Sequence, residues 1–359
     1  MTKINNNNFS INNVSIANYQ SPYLIGEISG NHKGDKQRIF QLITAAKKAG
    51  FSAIKIQYFT ADDMTIDSKN DEFTVQSGMW KGRSLYSLYQ EGSVKKEWLV
   101  EIFSFAKEQE ITLFSSVFSI ESIALLEELG CPAYKIASFE AMDIPLITAV
   151  AKTGKPLIVS TGIIDQPGIN DVIQACENVG NTQLCLLHCI SNYPAQYHEF
   201  NLATISEMIS QYPYPIGFSD HSLDNMATIG AISLGACVIE KHITVESDDG
   251  AIDSLFSIPI AGLAHFCQTA ENAAKLLGKP SYTNSSPRKN YRSLYIISDI
   301  KKGDAFTADN IKSIRPGHGI APKFYPDILG KKATKNIPKA TALTWDLISE
   351  HHDIEKGEG

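Results

Sequence analysis

The feature that most constrains this chain is an alternation of strand-like and helix-like segments that begins at residue 23. Apolar runs rich in β-branched and aromatic residues alternate with segments of helical spacing. The predicted strands are 23–29, 53–59, 112–118, 134–138, 156–162, 184–190, 215–220 and 237–244, and the predicted helices are 35–50, 95–109, 120–130, 143–153, 168–180, 201–212, 224–235 and 260–278. Eight such units in about 255 residues predict parallel strands in a closed (β/α)8 TIM barrel.

An open doubly wound sheet is the alternative, but a Gly-rich phosphate turn does not follow the first strand. The chain has 359 residues, which predicts one large domain and a smaller one. We expect a polar extension at 1–20, a barrel at 21–283, a linker at 284–290 and a small β-rich domain at 291–359. In that last domain, "DIKKGDAFTADNI" (299–311) weakly repeats as "NIPKATALTWDLI" (336–348).

Composition and charge indicate which classes of binding partner this protein has. The net charge is −7 and there is no long basic run, which argues against nucleic acid while still allowing a local cationic pocket for a small anion. No apolar segment is long enough to span a bilayer, and the Asn-rich start is unlike a secretory signal. The six cysteines form no CxxC pair and most lie in apolar segments, which indicates reduced core residues in a cytoplasmic protein.

Two histidines mark the ends of the last two predicted strands. His221 follows the seventh strand and His242 lies near the end of the eighth. Either histidine alone is best interpreted as a satisfied loop residue. Neighbouring barrel strands would place the two together at the C-terminal mouth, where barrel enzymes keep their chemistry. Two neutral imidazoles beside carboxylates suit a divalent transition metal with open positions.

The other strand ends are also polar, although barrel interiors favour Val, Ile and Leu. Two of the residues are lysines at inward-facing positions, and a buried lysine requires an anion. Some of the others must simply cap the helices that follow. The residues are Glu27, Asn31, His32, Lys55, Gln57, Ser115, Ser116, Lys135, Ser138, Ser160, Thr161, His188, Ser219 and Asp220. These residues predict a metal-dependent barrel enzyme for a small phosphorylated acid and leave the reaction open.

The motifs "GEISGNHKG", "IKIQYFTADDM", "YKIASFE", "LIVSTG", "LLHCISNYPA", "GFSDHSLDN" and "IEKHIT" follow one another along the chain. In this order they resemble the sialic acid synthases, which condense phosphoenolpyruvate with an amino-sugar aldehyde. The resemblance covers nearly all of the chain from about residue 20. The C-terminal part resembles the antifreeze-like (SAF) domain of those enzymes, with "IRPGHG" (314–319) in its ligand-facing loop. A small tail that only aids dimerisation is the alternative.

Within that family, three features resemble the pseudaminic acid synthases. They are "EISGNH" at the first strand, "WKGRSLYSLYQEGSVKKEW" (80–98), and Ser191 followed by "NYPAQY". The segment departs from the usual pattern at 92–96. The resemblance implies 2,4-diacetamido-2,4,6-trideoxy-altrose as the acceptor. N-acetylneuraminate synthase, legionaminic acid synthase, an aldose-phosphate synthase that shares the barrel, and a non-catalytic sugar-binding protein are the alternatives.

The resemblance also implies a role for each matched residue. His221 and His242 would hold Mn²⁺ or Mg²⁺, with Co²⁺ as a further candidate, and Glu27 would handle protons. Asp220 would either orient His221 or cap the next helix. The matched phosphoenolpyruvate contacts are Lys55, Ser116, Lys135, Ser138, Ser160, Ser191 and Ser219. The matched sugar contacts are Glu27, Gln57, Tyr193, Asp253 and Arg315, and Arg315 would act across a domain-swapped homodimer.

Overall fold

The computed structural model describes residues 9–78, 80–192, 195–278, 282, 287 and 290–349. The chain forms two compact units, Met1–Gly278 and Lys279–Gly359. Most of the predicted linker 284–290 lies outside the described residues. No helix in the described part of the chain is long and apolar enough to cross a membrane.

The first unit contains the predicted barrel. Its eight strands are β3 (Tyr23–Glu27), β4 (Ala53–Gln57), β5 (Thr112–Ser116), β6 (Tyr134–Ile136), β7 (Leu157–Ser160), β8 (Leu184–Cys189), β9 (Ile216–Asp220) and β10 (Val238–Thr244). Each strand pairs in parallel with the next, and β10 also pairs with β3. The sheet is therefore closed, and the prediction of a TIM barrel is confirmed.

The eight predicted helices lie close to their predicted positions, and two further helices, Ala61–Met64 and Leu85–Gly92, were not predicted. They are α1 (Lys36–Ala49), α2 (Ala61–Met64), α3 (Leu85–Gly92), α4 (Leu99–Glu108), α5 (Ile120–Glu128), α6 (Ile144–Ala151), α7 (Gln166–Glu177), α8 (Ala203–Gln211), α9 (Met226–Ser233) and α10 (Ile260–Leu277). Local signals set their ends. Asp35 accepts a hydrogen bond from the Gln37 amide at the start of α1, and Gly50 ends that helix with φ 105°.

One long connection stands out, between β4 and α4. It contains α2 and α3 and short 3₁₀ turns at Asp71–Phe73 and Lys96–Trp98. A capping box between Thr60 and Asp63 starts α2. Because the connection follows the C-terminal end of a barrel strand, it lies at the mouth of the barrel. Further 3₁₀ turns are Ser29–His32, Ser138–Glu140, Tyr197–Glu199 and Ser254–Phe256, and a short strand β11 (Ile258–Pro259) pairs with β10.

The predicted polar extension 1–20 requires a correction from residue 9 onward. Strands β1 (Phe9–Ile11) and β2 (Val14–Ile16) form a hairpin, and Phe9, Ile11 and Ile16 are buried in the barrel core. Its turn is Asn12–Asn13, and both residues have positive φ. Asparagine tolerates that conformation, so the Asn-rich run contains a hairpin turn. Residues 1–8 lie outside the described part.

The second unit has its own core, which includes Leu294, Ile296, Phe306, Ile311 and Leu343. Strand β12 (Ser293–Ile296) pairs antiparallel with β13 (Ile311–Ile314). Short helices follow at Pro322–Phe324, α11 (Tyr325–Ile328) and Trp345–Leu347. The weak sequence repeat has a structural counterpart: equivalent residues Ile300 and Ile337 exchange backbone hydrogen bonds of 2.9 and 2.8 Å.

Candidate active site

A cavity of about 400 Å³ lies at the C-terminal ends of the barrel strands. Nine residues of the predicted site line it: Lys55, Gln57, Lys135, Ser138, Ser160, Ser219, His221, His242 and Asp253. Three more join them through direct contacts, as Glu27 and Ser116 contact Lys55 and Ser191 donates to Ser138. The barrel therefore brings together twelve residues that are widely spaced in the sequence.

A buried cluster of charges forms the floor of the cavity. Pairing of β3 with β4 sets Glu27 beside Lys55, whose ammonium contacts the Glu27 carboxylate and donates to Ser116 Oγ at 2.9 Å. Burial raises the pKa of Glu27 to about 7, although Lys55 opposes the shift. Burial acts to lower the pKa of Lys55, but Glu240 and Glu27 outweigh it and raise that pKa.

Lys135 is the second cation of the floor. It is 2% exposed, and Glu240 Oε1 lies 3.7 Å from its Nζ and 3.6 Å from Lys55 Nζ. Burial lowers the pKa of Lys135, and the nearby Glu240 carboxylate opposes this. Burial would raise the pKa of Glu240, but Lys135 and Lys55 together lower it. The floor is thus a set of interdependent charges in which each cation depends on a carboxylate.

Hydroxyl groups surround the two lysines. Ser191 Oγ donates to Ser138 Oγ at 2.9 Å, and Ser219 Oγ lies 3.5 Å from Glu240 Oε1. Ser160 Oγ is buried and has no hydrogen-bond partner among the described residues. A buried hydroxyl without a partner loses solvation energy, which a hydrogen bond to a bound ligand can restore. The combination of two ammonium groups and several hydroxyls suits an oxyanion ligand.

The two histidines meet as the topology predicts. The ring centroids of His221 and His242 lie 5.5 Å apart, and the Phe256 ring packs against both. His221 Nδ1 donates to the Ile190 carbonyl at 2.8 Å, which fixes its orientation. Burial lowers the pKa of His221 to about 4 and lowers that of His242 well below its ordinary value. Both rings are therefore neutral at pH 7.

The histidine pair fits a metal ion as two protein ligands. The rings are neutral, as ligation requires, and His242 Nδ1 is buried without a hydrogen-bond partner in the described part. No cluster of three or more His, Cys, Asp or Glu side chains that could hold a metal occurs among the described residues. Two histidines by themselves would leave other positions of a bound metal to water or substrate, which is typical of catalytic sites.

Asp220 anchors the loop after His221. It accepts from Ser222 N at 2.8 Å and from Thr228 Oγ1 at 2.5 Å, and it pairs with Lys241 at 3.1 Å. Lys241 in turn donates to the Ser222 carbonyl at 2.5 Å. These contacts tie Asp220 to the loop and to the Thr228 side chain rather than to the backbone amides that start α9, whose N-cap Asn225 has no side-chain cap hydrogen bond.

The far side of the cavity is apolar. Phe59, Met64, Val75, Trp80, Leu85, Leu88 and Tyr89, all from the β4–α4 connection, line it. We call these residues the apolar wall. Gln57 Nε2 donates to Glu27 Oε1 at 3.0 Å where the wall meets the floor. Asp253 Oδ2 accepts from Gly30 N at 3.3 Å, and burial raises the pKa of Asp253.

Several predicted polar residues have structural partners instead. Asn31 donates to the Ile243 carbonyl, His32 to that of Gly92, Thr161 to that of Leu187, and His188 to that of Phe200; Ser115 bonds to backbone groups of neighbouring strands. Tyr193 lies outside the described residues. Arg315 lies exposed in the second unit, where its Nε donates to the Asn290 carbonyl at 2.9 Å.

Among the cavity residues that are absent from the predicted set are Glu240, Glu140 and Phe256. Burial raises the pKa of Glu140 to about 7, and its Oε2 has no hydrogen-bond partner among the described residues. A signal for Glu240 was present in the sequence. Residues two apart on a strand share a face, so an inward His242 implies an inward Glu240.

Two relatives match this chain over most of its length. The chain is 38% identical to pseudaminic acid synthase of Helicobacter pylori, over 92% of this chain and 98% of that protein. It is 31% identical to N,N′-diacetyllegionaminic acid synthase of Legionella pneumophila, over 91% and 94%.

A solved structure agrees with the fold. The spore coat polysaccharide biosynthesis protein SpsE of Bacillus subtilis superposes with a TM-score of 0.66 at 29% identity, over 96% of this chain and 100% of that one. Residues 42–282 match the NeuB family and residues 291–349 match the SAF domain. The chain belongs to the NeuB family and carries a C-terminal SAF domain.

Proposed function

We propose that this protein is a pseudaminic acid synthase. It condenses phosphoenolpyruvate with 2,4-diacetamido-2,4,6-trideoxy-altrose and water to give pseudaminic acid and phosphate. The observation that carries the proposal is a single cavity that joins two buried lysines and two neutral histidines to an apolar wall. The similarity to a protein named pseudaminic acid synthase supports the same assignment.

The floor of the cavity is the proposed phosphoenolpyruvate subsite. Lys55 and Lys135 neutralise the phosphate and carboxylate groups of the substrate, and hydroxyls complete their hydrogen bonds. The serines assigned to this task are Ser116, Ser138, Ser160, Ser191 and Ser219. The buried Ser160 hydroxyl, which has no hydrogen-bond partner among the described residues, gains one from the substrate.

The proposed reaction forms one bond at each end of the enol. C3 of phosphoenolpyruvate attacks the aldehyde carbon of the open-chain sugar, and the aldehyde oxygen becomes a hydroxyl by taking up a proton. Water adds at C2 and gives up a proton. The C2–O bond to phosphate then breaks, and loss of the remaining C2 hydroxyl proton leaves a ketone. Cleavage is thus at carbon–oxygen, and phosphate leaves intact.

Glu27 is the proposed proton carrier for these steps. Its pKa near 7 allows the carboxyl to give or accept a proton at neutral pH. Gln57 orients it by donating to Oε1. A Mn²⁺ or Mg²⁺ ion, or Co²⁺, held by His221 and His242 would act as a Lewis acid on the aldehyde oxygen. The two imidazoles, which would hold that ion, are themselves held by packing on Phe256.

The apolar wall supports a deoxy, diacetamido acceptor. Methyl groups at C6 and on two acetamido groups bury favourably against apolar side chains, whereas a hydroxyl there would lose hydrogen bonds to water. We assign Asp253, Gln57 and Tyr193 to the polar groups of the sugar. Legionaminic acid synthase is the second candidate, since its sugar has the same substituents in another configuration; N-acetylneuraminate synthase fits the wall less well.

We further propose a cytoplasmic homodimer in which the SAF domain of one subunit covers the cavity of the other. A reactive aldehyde must be shielded from bulk water during condensation. In this arrangement Arg315 brings its guanidinium donors to an acetamido carbonyl of the partner's substrate. The proposal follows from the resemblance to the sialic acid synthases.

A phosphate-release assay tests the proposed function. With phosphoenolpyruvate and a divalent ion, we expect kcat/KM for the altro diacetamido sugar to exceed that for N-acetylmannosamine by at least ~100-fold, roughly 2.7 kcal/mol of discrimination. Gulo- and manno-configured diacetamido sugars serve as matched acceptors. Equal efficiency with N-acetylmannosamine would move the assignment to sialic acid synthesis, and preference for the legionaminic precursor would favour the second candidate.

A further inference from the structure

Gly162 follows β7, and two serines from the loops on either side of it meet directly beside it. Ser138 belongs to the turn after β6 and Ser191 to the loop after β8, and Ser191 Oγ donates to Ser138 Oγ at 2.9 Å. Alternate strands of a sheet lie about 9–10 Å apart, which is far for two short side chains to span. The two hydroxyls therefore meet across the loop that follows the strand between them.

This contact is possible because residue 162 has no side chain. A Cβ at Gly162 would lie 2.5 Å from Ser191 Oγ, 2.7 Å from Ser138 Oγ and 3.0 Å from the Cys189 carbonyl oxygen. The first two distances are shorter than non-bonded carbon and oxygen atoms adopt. The φ of Gly162 lies outside the left-handed region, so the backbone itself would accept an alanine. Glycine is therefore required here for space, and the two hydroxyls occupy most of that space.

The pair of hydroxyls reaches the cavity through Ser138. This serine is 5% exposed and lines the cavity, as Lys135 does. A hydroxyl that accepts one hydrogen bond still has its own proton to donate. A second hydroxyl that donates to it polarises the group and strengthens that next hydrogen bond. Ser191 thus prepares Ser138 to donate to an oxygen of a bound anion.

We propose that Gly162 is a positioning residue of the phosphoenolpyruvate subsite. The gap at residue 162 lets Ser191 and Ser138 act together as one donor to an oxygen of the substrate. The inference rests on the proposed function, because phosphoenolpyruvate is the anion concerned. A side chain at residue 162 would push the two hydroxyls apart and turn Ser138 away from the cavity.

The variant Gly162→Ala tests the gap. Calorimetry of phosphoenolpyruvate binding to the full-length chain, with Mn²⁺ and without acceptor, should give a dissociation constant about 10- to 100-fold above that of the wild type, because a hydrogen bond to a charged group is lost. In turnover, KM for phosphoenolpyruvate should rise by a similar factor while kcat changes by less than about 3-fold, since substrate and transition state lose the same hydrogen bond.

Gly168→Ala, in the first turn of α7, is the matched control. A Cβ there would meet Ile164 and Asp165 instead of the two hydroxyls. This variant should bind phosphoenolpyruvate as tightly as the wild type does. Wild-type affinity in Gly162→Ala would overturn the inference, and so would an equal loss of affinity in the two glycine variants.

The serines decide whether the alanine acts through the pair of hydroxyls. Ser138→Ala/Ser191→Ala removes both, and adding Gly162→Ala to it should change the dissociation constant by less than about 3-fold. Ser138→Ala alone should weaken binding as much as the double variant does, because Ser191 acts through Ser138. A loss from Gly162→Ala that is the same with and without the serines would contradict the inference, as would additive losses from the two serines.

Folding belongs to the same test. If Gly162→Ala does not fold, the triple variant should fold, because the hydroxyls that crowd the Cβ are gone. A triple variant that also fails to fold would assign the need for glycine to the Cys189 carbonyl and overturn the inference. A wild type that binds inorganic phosphate but not phosphoenolpyruvate would contradict the proposed function, and the same variants titrated with phosphate would then decide the inference. A wild type that binds neither anion would overturn both.

Discussion

Burial raises the pKa of Glu27 and the neighbouring Lys55 lowers it, and the effect of burial is the larger. The pKa of Glu27 rises to about 7 from an ordinary value of 4.5. Between these values the folded protein keeps a proton that the unfolded chain has lost. The stability that the protonated Glu27 contributes is therefore complete below about pH 4.5 and is lost as the pH rises toward 7.

We predict that Glu27→Gln removes this loss of stability. The wild type should lose on the order of 2–3 kcal/mol through this group between about pH 5 and about pH 7.5, whereas glutamine, which does not titrate, loses none. Urea unfolding of both proteins at the two pH values gives the difference. A gap between variant and wild type that stays constant with pH would contradict the argument.

The histidine pair leads to a second prediction. His242→Ala should lower turnover by at least ~100-fold and weaken binding of Mn²⁺ measured by calorimetry, because one of two protein ligands is lost. Chelator should silence the wild type reversibly. His265, which is exposed outside the cavity, provides a control: His265→Ala should keep wild-type turnover and wild-type Mn²⁺ binding. Full activity in chelator would exclude the metal, and a fully active His242→Ala would exclude this ligand.

The sequence singled out many of the polar residues that line the cavity but not Glu240, for a physical reason. Lysine and histidine are costly to bury without a partner, so their positions in predicted strands indicated a site. The run "VIEKHIT" places Glu240 and His242 on one face and Lys241 on the other. A glutamate next to a lysine resembles an ordinary surface pair until the inward face is fixed. Arg315 was assigned only by resemblance, since an exposed arginine before proline carries no signal of its own.

At the level of elements, the barrel was predictable because each strand and helix carries its own period and end signals. The N-terminal hairpin was not, since its strands are three residues each and its turn is hidden in an asparagine run. The connection that carries the apolar wall was predicted as the long segment between strand 53–59 and helix 95–109. Its direction toward the cavity depends on packing that no local pattern encodes.

Gly217 in β9 tests how much room the closed barrel leaves for a side chain at that position. A Cβ on Gly217 in β9 would lie 2.6 Å from the Val238 carbonyl oxygen and 2.6 Å from a Leu187 methyl. Because the carbonyl belongs to the neighbouring backbone and cannot move aside, we predict that Gly217→Ala destabilises the protein by roughly 3 kcal/mol or more.

Gly230 in α9 is the matched control for this prediction. A Cβ there would meet only Leu202 Cδ1, the flexible end of a side chain, at 2.7 Å. Alanine also favours the helix, so Gly230→Ala should change stability by less than about 1 kcal/mol. Thermal and urea unfolding compare the two variants. Equal effects would mean that backbone crowding does not limit β9.

At the scale of the whole molecule, the proposed dimer can be tested by complementation. Lys55→Ala removes the floor cation and Arg315→Ala removes the arm of the SAF domain, so each homodimer should be inactive. If Arg315 serves the partner's cavity, a mixed dimer carries both defects in one site and leaves the other intact. We expect each mixed dimer to have up to about half of the activity of a wild-type dimer.

The same mixture distinguishes the alternative directly. If Arg315 serves the cavity of its own chain, both sites of a mixed dimer remain defective and activity stays at the background of the single variants. Sedimentation should first establish that the wild type is a dimer. A monomer with full activity would exclude the exchange of domains altogether.

The N-terminal hairpin has a consequence for the order in which this protein takes shape during translation. The Ser10 amide in the hairpin donates to Gln183 Oε1, 173 residues away, and Asn18, just after the hairpin, donates to the Ile216 and Gly235 carbonyls, 198 and 217 residues away. The hairpin is therefore translated before these partners, which come 173 to 217 residues later in the sequence. Until those partners have been made, Phe9 and Ile11, which are buried in the folded protein, remain exposed and can associate with other apolar surfaces. A circular permutation that places the hairpin after β10 would have the docking surface translated before the hairpin. We expect this change to shorten the time during which the nascent chain depends on chaperones.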